Sequence, residues 1–290
     1  MAITASLVKE LRERTGSGMM ECKKALVECD GDIEAAAELM RKSGAAKADK
    51  KASRVAADGA IKVGISDDGK MAAILEINSE TDFVAKDDNF QAFADQVLQV
   101  ILNEKPDSVE AVSSLTLASG QSVEEARAAL IAKVGENIQV RRFEIVESDQ
   151  TIASYLHGAR IGVLVESTVD AEMTRDIAMH VAAVNPQFVD ASAVPAEFIE
   201  KEKAILIAQA ESSGKPMDII EKMIEGRMKK FLGEITLLGQ PFVKDQDQTV
   251  EQLVSKAGGS VSQFIRYEVG EGIEKKVEDF AAEVAAQLES

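Results

Sequence analysis

The chain has 290 residues, with 33 Lys and Arg against 50 Asp and Glu, a formal net charge of −17. That balance argues against direct binding to nucleic acid, which is held mainly by clustered cations, and against an anionic membrane surface for the same reason. Aromatic residues make up 4%, with no Trp, so stacking platforms for bases or sugars are scarce. The length allows two domains, or one with appendages, around a substantial core. Cys22 and Cys29 stand seven apart on one expected helix, too far along it to bridge and too few for a disulfide framework. MAITASLVKELRERTG lacks the apolar stretch of a signal peptide, and no apolar run approaches the ~20 residues of a membrane span. The expectation is a soluble cytoplasmic protein.

The first 43 residues read as three short helices. Thr4 can cap a helix with Leu7, Val8 and Leu11 inward, stopping at Thr15-Gly16-Ser17-Gly18. A second runs from Met19 to Cys29, and Asp32 can cap a third carrying Ile33, Ala36, Ala37 and Met40. AAKADKKASR, after Gly44, reads as a solvated linker, since its cations have no interleaved aromatics. From Ala57 the period changes. GAIKVGI and KMAAILEIN are strand-like around a Ser66–Gly69 hairpin. Phe90, Phe93, Ala94, Val97, Leu98 and Ile101 then form one helical face. A helix from Ser122 to Val134 ends at Gly135, and NIQVRRFEIVES and TIASYLH read as strands.

A weak repeat follows: GKMAAILEI (69–77) resembles GARIGVLV (158–165), each ahead of an amphipathic helix, the second at Ala171 to Ala183. A duplicated hairpin-plus-helix unit predicts an α+β fold with two similar lobes, each an antiparallel sheet with helices on one face. Between Pro195 and Gly233 the sheet signal stops. Phe198, Ile199, Ile205 and Leu206, then Ile220, Ile224, Met228 and Phe231, mark two helices broken at Ser213–Pro216, an inserted antiparallel hairpin. PFVKD, a helix from Val250 to Ala257, the strand QFIRYEV and a terminal helix with Val277, Phe280, Ala281 and Val284 complete the chain. The expected segments are 1–54, 55–145, 146–194, 195–233, 234–270 and 271–290.

Catalytic tools are scarce, and no enzyme, metal or cofactor is expected. His157 and His180 lie on different elements, without Cys or carboxylates at metal-ligand spacing. Gly64–Lys70 fits G-x-x-x-x-G-K, but Met71 replaces the Ser or Thr and two aspartates face where phosphate would sit. Gly270-Glu271-Gly272 lacks the third glycine of a dinucleotide loop, with Lys275 in its place. Asp245-Gln246-Asp247 fails as a calcium loop at its sixth and twelfth positions.

What remains is Thr81-Asp82-Phe83-Val84-Ala85, between a strand and the Phe90 helix. Phe83 falls outside that helix's apolar face. The spacing leaves two readings open: a staple packing Phe83 on the helix it precedes, or an apolar wedge held out for a partner. ITASLVKELRERTGSGMMECKKAL, NSETDFVAKDDNFQAFADQV, GARIGVL, GKP, EGRMKKF, GQPFV and FIRYEVGEGIEKK closely resemble, in order, the elongation factor Ts family of bacterial translation.

That resemblance implies a guanine-nucleotide exchange factor for elongation factor Tu, with a three-helix ubiquitin-associated-like N-terminal domain, a two-lobed core, an inserted coiled-coil hairpin and a C-terminal helical module. It implies that Met19, Met20 and Lys23 dock on the partner's GTPase domain. Thr81, Asp82, Phe83 and Val84 would form the core contact that displaces the partner's Mg²⁺. Val134, where the family also carries Ile, and His157 would add contacts nearby, and Val243 would touch another part of the partner. A homodimer or a 2:2 complex is compatible with the hairpin. The competing expectation is a chaperone-like scaffold that uses the hairpin and N-terminal helices as adaptors.

Overall fold

The computed structural model describes residues 3–211 and 217–274. The expected Ser213–Pro216 break and the terminal helix with Val277, Phe280, Ala281 and Val284 lie outside the described residues. The fold is α+β, and the described residues divide into two compact units: residues 3–62, 75–144 and 268–274, and residues 63–74, 145–211 and 217–267.

The first unit begins with α1 (Ala5–Thr15), α2 (Met19–Glu28) and α3 (Ile33–Lys51). Capping starts and stops them: Thr4 Oγ1 accepts from Leu7 N–H, Asp32 accepts from Ala35 N–H, and Gly16 closes α1 at φ +64°. Val8, Leu11, Cys22, Ala25, Leu26 and Ala36 form a small shared core. The linker expectation for AAKADKKASR is corrected, because α3 continues through Gly44 to Lys51. Alanine favours helix, and the extension packs on α7 (Val123–Val134). Gly44 and Ala48 are buried there, and Arg41 pairs with Glu125 at 2.6 Å. Gly44 is a helix-contact residue and not a stop.

Strands β1 (Asp58–Ile65), β2 (Met71–Ser79) and β3 (Ile138–Glu147) form a sheet with β2 central. The Gly64–Lys70 segment is a hairpin turn, with Gly69 at φ +71° and Ser66 N–H donating to Met71 O at 2.8 Å. After β2 come α4 (Asp82–Ala85), α5 (Asp88–Glu104), α6 (Val109–Ser114) and α7. All six residues of the expected Phe90 face are buried on α5. A capping box of Ser122 and Glu125 opens α7, and Gly135 at φ +85° ends it.

The first unit also encloses Glu76, fully buried, whose carboxylate accepts from Arg141 at 2.9 Å, Arg142 at 2.6 Å, Asn78 at 3.0 Å and Gly270 N–H at 2.8 Å. Burial opposes its charge, but these donors outweigh burial and hold its carboxyl below the usual carboxylate range. Gly270, at φ +74°, is required: a Cβ there would meet Ala57 O at 2.2 Å. Gly270, read as part of a failed dinucleotide loop, serves this close approach.

The second unit contains β4 (Thr151–His157) and β5 (Ile161–Ser167), antiparallel from Thr151↔Ser167 to His157↔Ile161. With β8 (Val261–Glu268) they form a sheet whose central strand is β5. Helix α8 (Ala171–Val184), capped by Asp170, packs on it and buries Ile177, Ala178 and Val181 with Val163, Val165 and Leu237. The repeat therefore places Leu75 and Leu164 alike, each buried on the central strand of a three-stranded sheet.

Beyond α8, a 3-10 turn (Ala191–Ala193) leads to α9 (Ala196–Glu211) and α10 (Met217–Ile235). Ile220 and Ile224 bury against Ile207 and Met228, and Phe198, early in α9, stacks on Phe231, late in α10, at 6.0 Å. The two helices thus run antiparallel. Strands β6 (Pro241–Phe242) and β7 (Asp245–Thr249) pair antiparallel before α11 (Val250–Lys256). Asp245 and Asp247, read as a failed calcium loop, lie on β7. Among the described residues no three or more His, Cys, Asp and Glu cluster as a metal site, and no helix is long and apolar enough to cross a membrane.

Candidate functional site

The TDFVA segment folds as the single turn α4. Thr81 is its N-cap: its Oγ1 accepts from Val84 N–H at 3.4 Å, and its carbonyl accepts from Ala85 N–H at 3.3 Å. Ser79, fully buried at the end of β2, donates its hydroxyl to the same carbonyl at 2.9 Å. Ala85 is buried and anchors the turn from below, while Lys86 and Asp87 N–H groups donate back to Phe83 and Val84 carbonyls. Phe83 points away from this anchor, 82% exposed. The staple reading is therefore set aside. Asp82 is exposed beside it, and its bond to Lys86 at 2.6 Å holds its carboxyl below the usual range. Val84 is half-buried at the base.

The turn between α7 and β3 meets this corner. Glu136 accepts from Thr81 N–H at 3.0 Å and from the Thr81 hydroxyl at 2.7 Å, while Asn137 N–H donates to Glu80 at 2.6 Å. Val134, two residues earlier in the last turn of α7, is half-buried. The family resemblance set Val134 and His157 near the Thr81–Val84 segment, and neither it nor the sequence pattern pointed to Glu136 or Asn137. They belong to no periodic face, and only contacts across 55 and 57 positions reveal them.

The other expected contact residues lie on other elements of the chain. On α2, Met19 and Met20 are 60% and 74% exposed and Lys23 is exposed, while Cys22, Ala25 and Leu26 face the core. Val27, one turn beyond Lys23 and 57% exposed, extends that apolar face. It was missed because a lone valine on a short helix reads as core. In the second unit, His157 is exposed at the end of β4 with its Nδ1 3.4 Å from Tyr155 Oη, and Leu156 beside it is also exposed. Val243 is 38% exposed, and its N–H donates to His180 Nδ1 at 3.1 Å. His180 is fully buried on α8, and Phe242 stacks on it at 5.9 Å. Because Nδ1 accepts, the proton sits on Nε2 and is donated to Gln240 Oε1 at 2.9 Å. Burial pushes this imidazole below its ordinary range, the Gln240 bond only partly offsetting it. His157 and His180 thus divide into an exposed surface residue and a neutral internal clasp.

The corner offers an exposed apolar ring, a carboxylate beside it and a backbone tied down on three sides, which is the chemistry of a contact surface. The profile of the "Elongation factor TS" family matches residues 80–271, beginning one residue before Thr81. The chain is 62% identical over 290 residues to "Elongation factor Ts" of Thioalkalivibrio sulfidiphilus (strain HL-EbGR7), covering 99% of both chains. It is 62% identical over 289 residues to the protein of that name from Alkalilimnicola ehrlichii (strain ATCC BAA-1101 / DSM 17681 / MLHE-1), and 61% over 290 to that from Methylococcus capsulatus (strain ATCC 33009 / NCIMB 11132 / Bath), again with 99% of each chain covered. This makes the chain a translation elongation factor. It belongs to the elongation factor Ts family.

Proposed function

We propose that this chain is a guanine-nucleotide exchange factor that binds elongation factor Tu in its GDP form and speeds GDP release. The observation that carries the reading is the 82% exposure of Phe83 on a corner whose backbone is fixed. A large apolar ring held out from a firm base gains most of its burial only when a partner covers it. Phe83, with Thr81, Asp82 and Val84, enters the partner and shifts the element supporting its Mg²⁺. The bound diphosphate is then left with less compensated charge.

The energetics require more than the ring. A factor that prefers nucleotide-free partner must weaken nucleotide binding in the same proportion. A 10⁴-fold shift takes about 5.5 kcal/mol of differential binding, whereas burying one Phe contributes about 1.5–3 kcal/mol. Met19, Met20 and Lys23 on α2 therefore grip the partner as a docking module, which we read as a ubiquitin-associated-like domain over residues 1–54. Val134 and His157 add contacts, and Val243 engages a separate part of the partner. The α9–α10 pair serves as a coiled-coil accessory or dimerisation surface, compatible with a 2:2 complex. Such a factor works in the cytoplasm and performs no covalent chemistry.

The test is release of fluorescent GDP from elongation factor Tu in excess unlabelled GDP. Adding the chain is expected to accelerate release in a saturable way. Release at the intrinsic rate, despite complex formation by sedimentation, would leave only a scaffold.

A further inference from the structure

We propose that Glu136 is the positioning residue of the exchange corner, fixing Phe83 through Thr81. The proposal rests on the exchange reading above. A single turn cannot hold itself, because the first hydrogen bond of a helix must fix several backbone dihedrals at once. Nor can the Asp82–Lys86 pair do it: both groups are exposed, at 53% and 75% of their side-chain surface, and exposed ion pairs contribute little. The bonds to Glu136 differ in kind. They are charge-assisted, they engage both carboxylate oxygens, and they bridge 55 positions of sequence.

Their geometry also determines where the Thr81 proton points. Because the Thr81 hydroxyl donates to Glu136 Oε1, its oxygen lone pair stays free to accept from Val84 N–H. The cap of α4 and the anchor to Glu136 are thus one linked unit, with Phe83 between Thr81 and Val84. The turn that carries Glu136 is itself held from a second direction. Lys51, at the end of α3, donates to Gly135 O. The Asn137 amide donates to Arg54 O at 2.8 Å, and Arg54 lies 3.5 Å from Glu80. Residues 135–137 therefore tie the last turn of the N-terminal helices to the corner presenting the ring.

The test uses the full chain with Glu136→Ala, Glu136→Gln, Thr81→Val and Phe83→Ala, and two measurements. The first is amide hydrogen exchange at Thr81–Val84 in the free protein. The second is stimulated release of fluorescent GDP from elongation factor Tu, separated into maximal rate and half-saturating concentration. For Glu136→Ala, amide exchange is expected to rise and maximal release to fall, each about tenfold, while half-saturation moves less than about threefold. Glu136→Gln, which keeps one acceptor oxygen, falls between. The Glu136→Ala, Thr81→Val double variant is expected to lose less than the product of the two single losses, because both variants remove the same hydroxyl–carboxylate bond.

Unchanged amide protection and maximal rate in Glu136→Ala would overturn the proposal, as would losses that multiply in the double variant. An equal loss in rate and half-saturation would assign Glu136 a binding or structural role and overturn it too. If Glu136→Ala does not fold, the near-isosteric Glu136→Gln decides by the same criteria. If Phe83→Ala releases GDP as fast as wild type, the exchange reading fails, and amide exchange alone then decides whether Glu136 holds the corner.

Discussion

Helices α4 and α5 begin alike and end in opposite places. Each has a side-chain cap, Thr81 or Asp87, an acidic residue next, and a phenylalanine soon after. Phe83 is 82% exposed and Phe90 is fully buried, seven positions apart. Local capping chemistry sets the backbone of both. What separates them is length: α5 runs 17 residues and repeats its apolar face until a core covers it, whereas α4 has 4 residues and buries only Ala85. A phenylalanine that belongs to no stripe is left largely uncovered by its own fold.

The comparison can be broken by exchanging roles for energies. Phe90→Ala is expected to cost about 3–5 kcal/mol in chemical denaturation, because it leaves a cavity in a closed core. A cost near zero would mean that the α5 face is not the core. Glu76→Gln removes the charge that two guanidiniums and a backbone N–H share, at an expected cost of about 2 kcal/mol. Ser122→Ala, which removes one half of the capping box on α7, should cost about 1 kcal/mol. Phe83→Ala comes last, within about 0.5 kcal/mol of wild type, as for a side chain 82% exposed. A large destabilisation there would show that the ring packs inward.

Acid sharpens the picture. His180 has a folded pKa below its ordinary 6.5, so the unfolded chain takes up the proton first. Stability it provides is full above about pH 6.5 and declines as pH falls toward the lower folded value. Protonating Nδ1 also removes the acceptor for Val243 N–H. Glu76, lowered from 4.5, keeps its contribution down to about that pH and loses it below, as its carboxylate protonates. Thermal melts are therefore expected to show decline starting near pH 6.5 and a further drop below about pH 4.5. His180→Phe should remove the first and leave the second.

Much of the local structure was legible because its causes are local. Thr4 and Asp32 as caps, the stops at Thr15–Gly18 and Gly135, the Ser66–Gly69 turn and the α5 face each depend on residues within a few positions. Gly44 misled for the converse reason: it looks like a helix stop, and only the approach of α7 explains a buried glycine inside α3. The Phe83 segment stood out because no periodicity absorbed it, but spacing could not distinguish staple from wedge. That choice depends on which surfaces remain uncovered, a property of the whole fold. Glu136 on Thr81, His180 on Val243 and the two arginines on Glu76 were unreadable because each joins residues tens of positions apart.

The central claim is that one exposed ring acts on the partner's nucleotide and does little for its own fold. The most direct measurement is stopped-flow release of fluorescent GDP from elongation factor Tu at saturating Phe83→Ala. The account predicts a maximal rate at least about tenfold below wild type, the loss of roughly 1.4 kcal/mol or more of differential binding, with complex formation largely retained. A maximal rate equal to wild type would contradict it.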